Sequence, residues 1–159
     1  MIERNEVVRL LYVGNADAAK DSIIRKDFAD VVINVAIDLD LSHIVSGGKP
    51  AYHHVGLHDG PGNTVQSFIQ CWEILAQAYD DHLLTLLCCI GGVSRSVSVA
   101  AGWVSYRSGV DLDAALIHVM SRRSGAFPRQ DVMWQVADAL ATVRGSSVVY
   151  GGTTHAPAL

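Results

Sequence analysis

The sequence predicts a single α/β domain, with a central, mostly parallel sheet and helices on both of its faces. Three observations predict it. The chain has 159 residues, half of them apolar, which is enough for one core of ordinary size and hardly enough for two. Short β-branched runs alternate with segments of helical spacing, the pattern of parallel strands joined by crossover helices. One strand, Leu83 to Cys88, runs straight into a glycine-bearing turn and a helix, and in such sheets ligands sit just beyond the carboxyl ends of strands.

Val7 to Val13 reads as one strand closed by Gly14 and Asn15, followed by a helix with apolar spacing through Ala19, Ile23 and Phe28. VVINVAI, Val31 to Ile37, is nearly continuous and β-branched, as a strand covered on both faces would be. Asp38 to Pro50 reads as loop and Ala51 to Val55 as a short strand. DGPGNT, Asp59 to Thr64, carries turn chemistry, and Phe68, Trp72, Leu75 and Tyr79 then fall on one helical face. Three helices complete the reading: Arg95 to Tyr106, Leu112 to Arg122 and Asp131 to Val143. Residues 1–144 are expected to form the domain and 145–159 a flexible C-terminal tail.

The net charge of −4 and the presence of only three lysines weigh against nucleic acid as a partner, because polyanions are held through clustered Lys and Arg. No stretch reaches the roughly 18 apolar residues of a membrane span, so no membrane partner is expected. The three cysteines, Cys71, Cys88 and Cys89, do not form a paired framework, and neighbouring cysteines bridge only under strain. A reducing compartment follows, with the cytoplasm as the expected location and the nucleus an alternative.

The chemistry concentrates in LLCCIGGVSRSVSVAAG, Leu86 to Gly102. Gly91 and Gly92 let backbone N–H groups turn toward one centre, and the following helix adds partial positive charge, which suits a tetrahedral oxyanion such as phosphate. Arg95, in the first helical turn, can grip two oxygens at once. A thiol at Cys89 would meet the same donors, an arrangement that favours the thiolate. For an isolated cysteine at a strand end, the ordinary reading is a small buried hydrophobe; it is the spacing that argues otherwise here.

Cys89 followed by five residues and Arg95, with Gly92 and Ser94 inside and Ser96 after, resembles the signature loop of cysteine-dependent protein phosphatases, in the form found in their dual-specificity branch. LLYVGN, VVINVA and the run from Ala100 to Asp131 are similar to that family's opening strand, second strand and helices after the loop, so the resemblance covers nearly all of residues 6–143. It implies that phosphate monoesters are hydrolysed through a cysteinyl-phosphate, and that the substrate partner is phosphotyrosine and phosphoserine or phosphothreonine in proteins. It further implies Cys89 as nucleophile, Arg95 as the group binding phosphate and stabilising the transition state, Asp59 in GLHDGPGN as general acid and base, and Ser96 as support for the departing thiolate. Ile90, Gly91, Gly92, Val93 and Ser94 would form the phosphate-binding loop, with Ser94 expected to cap the helix. No metal or cofactor is called for, and the oligomeric state stays open.

The sequence departs from the family pattern at three positions. Cys88 stands where the family carries histidine, Gly91 where alanine is usual, and Arg129 where asparagine is common. The first departure opens an alternative, a catalytically weak or inactive relative that uses the loop to bind phosphate. Arg122, Arg123 and Arg129 read as solvated helix-end charges, with a place on the pocket rim as the alternative. YHHVGLHD clusters His53, His54, His58 and Asp59, but neighbouring residues of a strand face opposite ways, so a shared metal ion is not expected.

Overall fold

The computed structural model describes residues 1–156. Five strands form the central sheet: β1 (Arg4–Val8), β2 (Leu11–Gly14), β3 (Val31–Ala36), β4 (Ala51–Leu57) and β5 (Thr85–Cys88). Their order is β1-β2-β5-β3-β4. β2, β5, β3 and β4 run parallel, and β1 returns antiparallel at the edge. β5 lies at the centre, pairing Cys88 with Gly14 on one side and with Asn34 on the other. The carboxyl ends of three strands therefore converge where the signature loop begins.

The helices are α1 (Ala16–Arg25), α2 (Val65–Asp80), α3 (Arg95–Ser108), α4 (Leu112–Arg122) and α5 (Gln130–Arg144), with one 3-10 turn at Ser42–Ile44. α1 covers one face of the sheet through Ala18, Ala19 and Ile23, against Val32, Leu86 and Cys88. α2, α3, α4 and α5 cover the other, against Val13, Ile33, Val35 and Leu87. The alternation along β5 follows from the period of two of a strand. It sends Cys88 toward α1 and Cys89 toward the helical layer.

α3 is buried from Arg95 to Ser105, and its Ser, Ala and Gly residues let neighbouring helices approach closely. At Gly102 an added Cβ would lie 2.3 Å from Cζ2 of Trp72 and 2.8 Å from Cγ1 of Val136. Trp72 also donates from Nε1 to the Val99 carbonyl at 3.1 Å. Among the described residues no helix is long and apolar enough to cross a membrane.

One expectation needs correction. The run from Val7 to Val13 is two antiparallel strands, reversed at Arg9 and Leu10, where Leu10 takes the left-handed conformation (φ 65°) that a non-glycine residue seldom adopts. The segment after residue 144 forms a hairpin of β6 (Val148–Tyr150) and β7 (Thr153–His155) over Gly151 and Gly152. It meets α5 through His155, whose Nδ1 lies 2.9 Å from Oδ1 of Asp138. The rest of the expected tail, residues 157–159, lies outside the described residues.

Candidate active site

Residues Cys89 to Ser94 join β5 to α3 in a tight loop whose backbone is held through its carbonyl oxygens. The Ile90 carbonyl accepts from Ala16 N–H at 2.9 Å and that of Val93 accepts from Phe127 N–H at 2.9 Å. Between them, Arg123 donates from Nη2 to the Gly91 carbonyl at 3.1 Å and from Nε to the Gly92 carbonyl at 3.0 Å. In a trans peptide the N–H points opposite to the C=O of the same plane. Four carbonyls turned outward thus turn the N–H groups of Gly91, Gly92, Val93 and Ser94 inward, toward one centre. Gly92 makes this possible: its φ is +65°, and a Cβ there would lie 2.6 Å from the Gly14 carbonyl carbon.

Cys89 is 3% exposed, and its Sγ lies 3.2 Å from Oγ of Ser96, which is fully buried. Arg95 is buried as well. Its Nη1 donates to Oδ1 of Asp38 at 2.6 Å and to the Leu57 carbonyl at 3.0 Å. This anchoring leaves Nε and Nη2 for an anion, and Nε and one Nη of a guanidinium can grip two oxygens together. The Arg95 guanidinium in turn holds the Asp38 carboxyl below the usual carboxylate range.

Asp59 follows the end of β4 and reaches the same loop, accepting from the Ser94 hydroxyl at Oδ1 over 2.7 Å. The backbone around it is fixed. Asn63 accepts from His58 N–H at 2.8 Å and donates to the His58 carbonyl at 2.9 Å, while Gln135 of α5 donates to the Gly60 carbonyl at 2.8 Å. Ser94 does not cap α3 as expected: its hydroxyl makes no bond to the first turn and instead accepts from Arg129 N–H at 2.9 Å while donating to Asp59.

All the residues singled out in the sequence as catalytic or loop residues therefore lie in or against one loop. Two contributors were missed. Asp38, read as part of a plain loop, braces Arg95; the available signal was its place just past the carboxyl end of a central strand. Arg123, read as a solvated helix end, is 2% exposed and carries the loop, with Nη1 donating to Asn5 Oδ1 at 3.0 Å. Arg122 and Arg129 are exposed, and Arg129 is paired with Asp131 at 2.8 Å. His53 lines an apolar cavity of about 360 Å³ under β4 and α2, at the end of the strands away from Cys89, whereas the His54 ring meets the Ala36 carbonyl at 2.7 Å. Burial pushes the Cys71 thiol up to about 12 and the Cys88 thiol also upward.

No protein-family model matches the sequence. Curated relatives do: dual specificity protein phosphatase 19 of Mus musculus is 26% identical over 128 residues, covering 79% of this chain and 57% of the relative. In sequence the chain is similar to dual-specificity phosphatases. It spans between 31% and 64% of the length of the curated relatives it matches. Solved dual-specificity phosphatase structures share its fold. A mouse putative dual specificity phosphatase complexed with zinc tungstate superposes with a TM-score of 0.75 at 22% identity, covering 90% of this chain and 89% of that one. Human DUSP28 gives 0.75 at 19% identity, covering 89% and 95%.

Proposed function

We propose that the chain hydrolyses phosphate monoesters, those of tyrosine and of serine or threonine in proteins, through a cysteinyl-phosphate intermediate. The observation that carries the reading is the outward turn of four successive carbonyls beside Cys89 and Arg95. It leaves a ring of N–H donors and a guanidinium around one thiol, the arrangement that stabilises charge on a transferring phosphoryl group.

In the first step Sγ of Cys89, as thiolate, attacks phosphorus; the S–P bond forms as the ester P–O bond breaks. Asp59 gives its proton to the departing oxygen. The N–H groups of the loop and Arg95 hold the equatorial oxygens. In the second step the Asp59 carboxylate takes a proton from water, whose oxygen attacks phosphorus; the S–P bond breaks and its electron pair returns to sulfur. Ser96, 3.2 Å from that sulfur, donates a hydrogen bond to it as it leaves. The exposed side chains of Ile90 and Phe127 flank the loop and offer apolar surface to the group carrying the phosphate. The three free cysteines support a reducing compartment such as the cytoplasm for this chemistry.

Cys88, in the position of the family's histidine, favours a second reading, a phosphate-binding module without turnover. Hydrolysis of a small aryl phosphate by the wild-type protein, Cys89→Ser and Asp59→Ala separates the two. Turnover abolished by the first substitution and cut strongly by the second supports the enzyme. Phosphate binding with no wild-type turnover supports the module.

A further inference from the structure

The geometry points to Ser94 as the positioning residue that directs the proton of Asp59, with the backbone N–H of Arg129 fixing the direction in which Ser94 itself donates. This deepens the hydrolase reading and rests on it.

A serine hydroxyl has one proton to give and lone pairs to receive. Arg129 N–H donates into Oγ of Ser94 at 2.9 Å, and Oγ lies 2.7 Å from Oδ1 of Asp59. With its lone pair engaged from the α5 side, the hydroxyl turns its proton to Oδ1. Oδ1 then acts as acceptor whether Asp59 is charged or neutral, so the acidic proton resides on Oδ2, the oxygen free to meet the leaving group. Ser94 is 8% exposed, so water has little access to its Oγ, while the Asp59 residue it meets is exposed. The main chain on both sides of Asp59 is held separately by Asn63 and Gln135. The acid is thus set against the loop, and its carboxyl is oriented by the same segment that would bind the phosphate.

Two features of the sequence are explained together. Ser94 forgoes the cap of α3, which leaves the amides of that first turn open toward the anion site. The change from asparagine to Arg129 is tolerated because the backbone N–H at that position, common to every residue but proline, supplies the bond.

The inference is tested by leaving-group dependence. General acid assistance matters most for a poor leaving group, so kcat should be measured on phenyl phosphate and on a nitro-substituted aryl phosphate for the wild-type protein, Ser94→Ala, Ser94→Thr, Asp59→Asn and the Ser94→Ala/Asp59→Asn double variant. Ser94→Ala is expected to lower the ratio of the two rates, phenyl over nitrophenyl, about tenfold, within the range that positioned acids contribute. Ser94→Thr, which keeps the hydroxyl, should restore most of the ratio, and the double variant should show the ratio of Asp59→Asn alone. A lowered ratio in Asp59→Asn with an unaltered ratio in Ser94→Ala overturns the role of Ser94 while leaving the hydrolase reading intact. A further drop in the double variant beyond Asp59→Asn also overturns it. A wild-type protein inert toward both esters, or an Asp59→Asn ratio equal to wild type, overturns the hydrolase reading and this inference with it.

Discussion

Asp38 accepts a 2.6 Å hydrogen bond from Arg95, although 57 residues separate them. With the loop as the proposed phosphate site, a carboxylate this near would repel the anion, and orienting the guanidinium has to outweigh the added negative charge. Asp38→Asn should therefore weaken catalysis: we expect kcat/KM to fall roughly tenfold, the scale of a misplaced catalytic group. A rise in phosphate affinity with unchanged kcat would show that charge, not orientation, governs the pair. The same pair predicts a pH response. Arg95 lowers the Asp38 pKa, so the contact and the stability it adds are present above the ordinary carboxylate range and persist as pH falls, to be lost only through the depressed value. An acidic limb in activity that survives Asp38→Asn unchanged would therefore come from another group.

Among the described residues, Arg123 is the one side chain holding two loop carbonyls. Arg123→Met keeps the stem but leaves the buried Gly92 carbonyl and the part-buried Gly91 carbonyl without their donor. The expected loss is about 2–4 kcal/mol of stability, seen as a lower midpoint in urea, together with weaker phosphate binding. Arg122→Met, on the exposed neighbour, should change stability by less than about 0.5 kcal/mol. Equal effects at both positions would remove the brace.

Alkylation at neutral pH should label Cys89 and spare Cys71 and Cys88, because burial pushes both of the latter thiols upward and keeps them protonated. Peptide mapping after iodoacetamide treatment, with and without vanadate, reads this directly. Labelling of Cys88, or vanadate giving no protection, would contradict the site.

Cys88→His would restore the family's residue in a pocket now formed by Ala18, Ala19, Ile23, Val32, Leu41 and Leu86. The loop is already held at four carbonyls from elsewhere, so the imidazole has little ordering left to supply. We expect turnover within about threefold of wild type, too small a change to reflect a better-placed group, and a stability loss of about 1–3 kcal/mol from overpacking. A tenfold gain in turnover would show that loop order limits the rate.

Gly102→Ala tests the helical layer. The new methyl would sit inside the contact distance of Trp72 and Val136, at a cost of about 1–3 kcal/mol, measurable in denaturant with activity per folded molecule retained.

The core of the site was legible because its chemistry is local: β5, Cys89, the glycines, Arg95 and Ser96 follow one another, and strand and helix patterns flank them. What escaped depends on tertiary meetings. Nothing near Asp38 or Arg123 announces a partner tens of residues away, and a serine before a helix looks like a cap until Asp59 and Arg129 are seen to converge on it. The turn between β1 and β2 uses Leu10 in a conformation that sequence associates with glycine. The hairpin after α5 did carry a signal, two glycines between apolar and threonine-rich runs, of the kind that marks a tight reversal.

The first sixteen residues supply part of the outer wall of the loop. Asn5 meets Arg123, Gly14 lies against Gly92, and Ala16 holds Ile90. An amino-terminal truncation, or a fusion that pulls β1 from the sheet edge, would thus reach Cys89 without touching any residue near it in sequence. The shortest fragment able to display the intact anion site must begin ahead of Asn5.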